Sequence, residues 1–416
     1  MIQWPYHKFN ITKYRGGSEL SPNLYNKTNT MGNTSFRIFL LAVIVCTFNS
    51  CSTVKKTANS NQAGNITSLH FINEYDLPYN LQYKNTTVGG LSGIDRHVAN
   101  DEYLLISDDR SAIEPARFYT ARILISSKGI DSVYFISVDN LLQANGQTYP
   151  NNKQDKFHVP DPEAARYYAP FNQIVWSSEG ERIVNKTDTV LEDPSINVIA
   201  PNGKFISSFQ LPSLLKMQSI PMGPRQNGVL EGMTFDDNFK TLYANVEEPL
   251  YEDGPRADIF DNNAFIRILR FNIPGQQLVK QYAYKLDPVA YAPNPADAFK
   301  INGVPDILAI GNGKLLVIER SFSTGRMACT IKIFIADVSN ATDIKNVTSL
   351  KDNNNFKPAS KKLLLNMDEL GIFIDNIEGV TFGPDLPNGH KSLLFISDNN
   401  FNPLEKTQFL LFEILD

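Results

Sequence analysis

Cysteine is scarce: 3 in 416 residues. Cys46 and Cys51 fall in an N-terminal leader, so only Cys329 belongs to the folded body and no disulfide framework can form within it. Cys329 stands between Ala328 and Thr330 at the head of an apolar strand, the setting of a buried, inert thiol rather than a nucleophile. Histidine is also sparse, at 5 residues, and His7 lies ahead of any fold. The sequence has no HExxH pair and no GxSxG elbow, which excludes a zincin site and an α/β-hydrolase nucleophile by motif. No block of five or more basic residues occurs and the formal net charge is −5, so nucleic acid is not an expected partner.

The leader has its own grammar. Residues 31–51, MGNTSFRIFLLAVIVCTFNSC, carry one basic residue, Arg37, then an apolar run from Ile38 to Phe48 and a polar step into Cys51. Ending on Cys51 looks like a bacterial lipoprotein signal whose cysteine is acylated, although Phe48-Asn49-Ser50 departs from the usual residues before that cysteine. A plain secretory signal or a short membrane anchor are the alternatives, the run being short for a bilayer span. Residues 1–30 read as a mis-called start ahead of Met31, and residues 51–65 as a polar tether. The expected address is the cell envelope, lipid-anchored to a bacterial membrane, with the outer membrane favoured and the domain facing periplasm or exterior. Without residues 1–50 the net charge is near −9.

What the remainder has in abundance is repetition. In GVLEGMTFDDNFKTLYANVEEP, residues 228–249, Glu231 opens one apolar run and Glu247 closes the next, 16 residues on. This reads as a hairpin with an acid at the mouth of the first strand and another at the exit of the second. Ser92 to Asp108 and Glu163 to Glu179 repeat the spacing of 16; Asp306 to Glu319 spans 13 and Glu378 to Asp398 spans 20. The first positions, Ser92, Glu163, Glu231, Asp306 and Glu378, are 71, 68, 75 and 72 residues apart. A period that regular indicates repeat architecture.

Each unit adds a third apolar segment (118–125, 195–200, 264–272, 330–336) and an outer strand, joined by turns such as Pro201-Asn202-Gly203. Four antiparallel strands make a propeller blade. The last unit ends at its third strand, 408–415, so the segment 68–77 is expected to supply the fourth and close the ring. The expected fold is an all-β propeller of five four-stranded blades over residues 66–416. A sixth blade is possible in the connections 140–160 or 285–303. A monomer is expected.

Inner strands of a propeller line its channel, so Ser92, Glu163, Glu231, Asp306 and Glu378 would form a ring of oxygen donors suited to Ca²⁺. Asn245 is a possible additional ligand. The alternatives are acids that cap strands or pair with Arg in the next blade, and a purely electrostatic channel. A second ring, Asp108, Glu179, Glu247 and Glu319, supplies catalytic candidates, and Arg110, Arg182 and Arg320 beside it could bind an anionic ester. Inter-blade ion pairs are the competing role for these arginines. His97 and His158 lie in loops and could reach a channel mouth, the alternative being the simple exposure usual for a lone loop histidine.

The motifs GGLSGID with LLISDDR, DPEAARY, NGVLEGMTF with LYANVEE, LLVIERSF, and DNIEGVTFGPDLPNGHKSLLFISDNNF resemble bacterial phytase-like propellers, described as having esterase-like activity of phytase. The resemblance covers roughly residues 65–416. It implies a secreted or lipid-anchored propeller with phosphoesterase or esterase activity. The Glu231-Gly232 and Glu378-Gly379 steps match, whereas Glu163 is followed by Ala164, and Asp306 is flanked by Pro305 and Ile307. Two functions are therefore weighed: a Ca²⁺-dependent hydrolase of a small anionic ester, and a non-catalytic lipoprotein binding a glycan, peptide or protein. The second predicts a plugged channel and an aromatic face built from Tyr167, Tyr168, Phe171 and Trp176.

Overall fold

A computed structural model describes residues 66–416 except residue 354. The proposed leader, tether and acylated Cys51 lie outside the described residues. The described chain forms five four-stranded antiparallel blades. From the channel outward, blade 1 is Leu91–His97, Glu102–Ser107, Arg117–Ser126 and Gly129–Asn140. Blade 2 is Pro162–Tyr168, Gln173–Ser178, Ser195–Ile199 and Phe205–Ser208. Blade 3 is Leu230–Phe235, Thr241–Val246, Phe265–Asn272 and Gln277–Lys285. Blade 4 is Ile307–Gly311, Lys314–Ser323, Thr330–Asp337 and Ser360–Asn366.

Blade 5 is Asn376–Phe382, Ser392–Asp398 and Thr407–Leu415, completed on its outer edge by Ser68–Leu77. The pairing runs antiparallel from Ser68 opposite Leu415 to Leu77 opposite Thr407. The ring therefore closes with a strand from the start of the domain, which removes one exposed edge. No sixth blade exists among the described residues. The connection 140–160 makes one isolated bridge, Leu142 to Thr148, and the connection 285–303 contributes only the short strand Lys300–Gly303 to blade 4.

The second strands are unbroken apolar runs because both faces of a blade are covered by its neighbours. In Lys314–Ser323, Leu316 and Ile318 pack into the cluster shared with blade 5, while Leu315 and Val317 pack into the cluster shared with blade 3. The same alternation sends Leu393 and Phe395 one way and Leu394 and Ile396 the other, towards blade 1. Strand periodicity thus converts a run such as LLFI into two adjoining cores.

One buried ion pair, Arg166 with Asp306, ties all five blades together. Arg166 of blade 2 donates from Nη1 to the Ile94 carbonyl of blade 1 and from Nε to the Met233 carbonyl of blade 3, both at 2.6 Å. Its Nη2 lies 2.6 Å from both carboxylate oxygens of Asp306 in blade 4. Asp306 Oδ2 in turn accepts the Val380 amide of blade 5 at 2.9 Å. The pair is buried and plugs the channel.

Close approach of neighbouring inner strands explains the glycine after the acid. A Cβ on Gly232 would lie 2.6 Å from the Asp306 Cα and 2.4 Å from Asn245 Oδ1. Gly232→Ala is expected to destabilise the protein by about 1–3 kcal/mol through overpacking, measured as a lower denaturant midpoint with an unchanged slope.

Candidate functional site

Four of the five inner strands share an irregularity where the sequence places its first acid. The ladder shifts register between Leu91 and Gly93, Pro162 and Ala165, Leu230 and Met233, and Ile377 and Gly379. Ser92, Glu163, Glu231 and Glu378 sit in these shifts, and a bulge re-aims the side chain it carries. Antiparallel pairing then returns the end of the second strand to the same level: Leu91 lies opposite Ser107, Pro162 opposite Ser178, and Leu230 opposite Val246. Asp108, Glu179 and Glu247 follow directly. Glu163, Glu231 and Glu378 of the first expected ring and Asp108, Glu179 and Glu247 of the second therefore merge into one basin at one mouth of the channel.

The basin has a volume of about 550 Å³ and is lined by nine carboxylates and two arginines, Arg110 and Arg320. Glu163, Glu231 and Glu378 from the first ring and Asp108, Glu179 and Glu247 from the second are among its walls. Arg320 Nη2 donates to Glu247 Oε1 at 2.7 Å, and its Nη1 to Asn376 Oδ1 at 2.6 Å and to Glu378 Oε1. Arg110 pairs with Glu181 at 2.6 Å and Asp161 at 3.3 Å. Both arginines are thus engaged in ion pairs while still facing the cavity.

Asp161, Glu163 and Glu179 each present an oxygen, and these oxygens all lie within 4.8 Å of one another. Glu179 is held in place by the next blade, its Oε1 accepting the Gly228 amide at 2.8 Å and the Val229 amide. An all-carboxylate donor set of this kind can hold a metal ion and suits a hard one. Asp161 was missing from the sequence-level candidates. Its signal was present in DPEAARY, two residues before Glu163, but no other unit repeats an acid there.

Burial dominates the electrostatics. It raises Asp161 to about 7, with Arg110 opposing and Glu181 adding to the rise. It raises Glu179 to about 8, with Asp161 and Glu247 adding. Glu163 and Glu231 rise well above the usual carboxylate range, first from burial and then from Glu231 and Glu179 respectively. Asp108 rises through burial and then the charge of Asp398. Arg320 loses hydration by burial, yet Glu378, Glu247 and Glu231 hold it firmly protonated. The basin thus favours protonation or a bound cation.

This arrangement coincides with a family relationship. Residues 86–401 match the sequence family described as "Phytase-like: Esterase-like activity of phytase". The chain belongs to the phytase-like family. No curated protein matches this phytase-like chain. Among solved structures it is similar to an α-L-arabinofuranosidase from Lactobacillus brevis, at 10% identity and a TM-score of 0.41, covering 78% of this chain and 91% of that one. It is similar to a GH43_12 protein from a capybara gut metagenome at 14% identity and a TM-score of 0.40, covering 83% of this chain and 57% of that one. A gluconolactonase from Xanthomonas campestris shows 9% identity and a TM-score of 0.30, over 84% and 96%.

Several expected site residues of the phytase-like chain lie elsewhere. Ser92 Oγ donates to the Glu163 carbonyl at 2.7 Å, an inter-blade tie, and does not line the basin. Asp306 is the partner of Arg166, because the inner strand of blade 4 begins only at Ile307 and its register shift falls between Ala309 and Gly311, away from the acid. Glu319 points to the opposite strand face from Arg320 and accepts from Tyr284 Oη, Asn302 Nδ2 and Lys361 Nζ. Arg182 donates to the Gln218 and Ile220 carbonyls outside the basin. Asn245 is likewise inter-blade, its Nδ2 donating to the Val304 carbonyl at 2.7 Å.

His158 is exposed, beside Asp155. His97 lies at the other end of the channel, in a separate cavity of about 390 Å³ that also contains Tyr167, Phe235 and Phe239. Of the expected aromatic face, Trp176 is buried in the core between blades 1 and 2. Tyr168 stacks on Phe235 and contacts Phe171, which is 64% exposed.

Proposed function

We propose that this phytase-like chain is a Ca²⁺-dependent hydrolase of phosphate or other anionic esters, acting from the cell envelope through a lipid on Cys51. The observation that carries this reading is the convergence of Asp161, Glu163 and Glu179 within 4.8 Å inside a basin that also presents Arg110 and Arg320. A calcium ion bound there would polarise the ester and lower the pKa of water. Asp161, Glu163 and Glu179 are its proposed holders, so Glu179 serves as a ligand rather than as an acid or base.

Arg320 and Arg110 orient the anionic group by charge and by their remaining N–H donors. Water adds to the ester centre, the bond to the alcohol breaks, and the alkoxide takes up a proton. Asp108 and Glu231, whose burial places their titration well above the usual carboxylate range, are the groups proposed to move that proton. Glu247 fixes Arg320.

The test is hydrolysis of a panel of phosphomonoesters and carboxylic esters by the purified protein in Ca²⁺ and in excess chelator. Turnover in Ca²⁺ that disappears with chelation is expected; turnover indifferent to chelation overturns the metal assignment. One observation favours the binding alternative: the channel is plugged by Arg166 and Asp306. Calcium-induced stabilisation without turnover of any ester would select that reading.

A further inference from the structure

Blade 4 departs from the other blades at the basin in a way the repeat does not explain. Its second strand, Lys314–Ser323, extends beyond its ladder with Ile307–Gly311 and pairs with the additional strand Lys300–Gly303. Arg320 lies opposite Gly303 and Phe322 opposite Ile301. Residues two apart on a strand share a face, and cross-strand partners share it too. Arg320, Phe322 and Ile301 therefore form one surface, and all three line the basin. Glycine at 303 leaves room for the Glu247 side chain beneath, since a Cβ there would lie 2.7 Å from Glu247 Oε1.

Two further apolar groups extend this surface. Phe299, 53% exposed, lies with its ring centroid 6.3 Å from that of Phe322. Met327, 75% exposed, lines the same cavity. A basin otherwise walled by carboxylates thus has one apolar side, beginning directly beyond the arginine that faces the ester. Apolar side chains left exposed beside a polar cluster are the usual way a pocket selects the non-reacting part of its ligand.

We infer that the substrates are esters of an apolar alcohol, with the anionic group at Arg320 and the alkyl or aryl group lying on Phe322, Ile301, Phe299 and Met327, rather than esters of polyols. The inference rests on the hydrolase reading above and names its substrate class. A polyol phosphate would place hydroxyls against this wall, where they would lose water without finding donors or acceptors.

The decisive experiment uses n-alkyl phosphates from ethyl to octyl, whose leaving groups barely differ in acidity, so chain length reports on the wall alone. With the purified protein in Ca²⁺, kcat/KM is expected to rise roughly twofold per methylene, about half of the factor for complete burial, mainly through KM. Phe299→Ala and Met327→Ala, both at exposed positions, should flatten the series, lowering kcat/KM for octyl phosphate severalfold more than for ethyl phosphate. A flat series in the unaltered protein, with turnover present, overturns the inference. If no ester turns over, the hydrolase reading fails instead. Calorimetric binding of hexyl against ethyl phosphate in Ca²⁺ then decides the wall separately: tighter hexyl binding supports it, and equal binding overturns it.

Discussion

Asp306→Ala is expected to destabilise the propeller by about 3–5 kcal/mol, the usual consequence of leaving a buried charge without its partner. Arg166 would keep its bonds to Ile94 and Met233 but lose both carboxylate contacts, and the Val380 amide would lose its acceptor. The melting temperature should fall by on the order of 10 °C. Arg166→Ala should do comparable harm, because Asp306 would then be a buried carboxylate bonded only to amides; burial already raises its pKa to about 6 even with Arg166 opposing. An apolar pair, Arg166→Met with Asp306→Leu, should be less damaging than the sum of the single changes. If all three variants melt within about 1 kcal/mol of the unaltered protein, the inter-blade clamp is not what holds the ring together. A loss of calcium binding with unchanged stability would instead restore Asp306 to the metal ring.

Glu163→Gln and Glu179→Gln are each expected to lower ester hydrolysis by on the order of 10²-fold and to remove its dependence on calcium. Their stability should respond in the opposite sense, because amides relieve the crowding of buried carboxylates when no cation is present. Burial raises Asp161 to about 7 and Glu179 to about 8 in the folded state, against about 4 in the unfolded chain. Between about pH 4 and pH 8 the folded protein therefore holds more protons than the unfolded one, and this contribution to stability falls as pH rises.

In chelator, melting temperature should accordingly be higher near pH 5 than near pH 8.5, and either Gln variant should narrow the gap. Calcium held by this cluster would bind the ionised carboxylates, so it should stabilise most at the alkaline end. At a hundredfold excess over its dissociation constant the gain is about 2.7 kcal/mol. Superimposable pH profiles with and without calcium would count against the cluster as a cation site.

The architecture was legible because it depends on local, repeated pattern. Apolar runs of strand length, turns such as Pro201-Asn202-Gly203, a regular spacing of acids and a last unit one strand short are one-dimensional signals. Together they yield five blades and closure by Ser68–Leu77. The acids at Glu163, Glu231 and Glu378 were legible for the same reason, and after Glu231 and Glu378 comes the glycine that lets the neighbouring inner strand approach.

Direction and depth were not legible, since they depend on ladder register and on partners far away in sequence. Glu231 and Glu247 belong to two separate rings on the sequence pattern, but antiparallel pairing brings their strand ends together, so they share a basin. Asp306 matched the period but not the place: with no register shift at the acid its carboxylate meets Arg166, 140 residues away. Glu319 and Arg320 are adjacent, and strand alternation alone sends one into the blade and the other to the site. Sequence by itself determined the repeat, the ring and the chemistry available to it. The tertiary structure decided which carboxylates meet, because burial, register and inter-blade contact are properties of the closed ring and of no single unit.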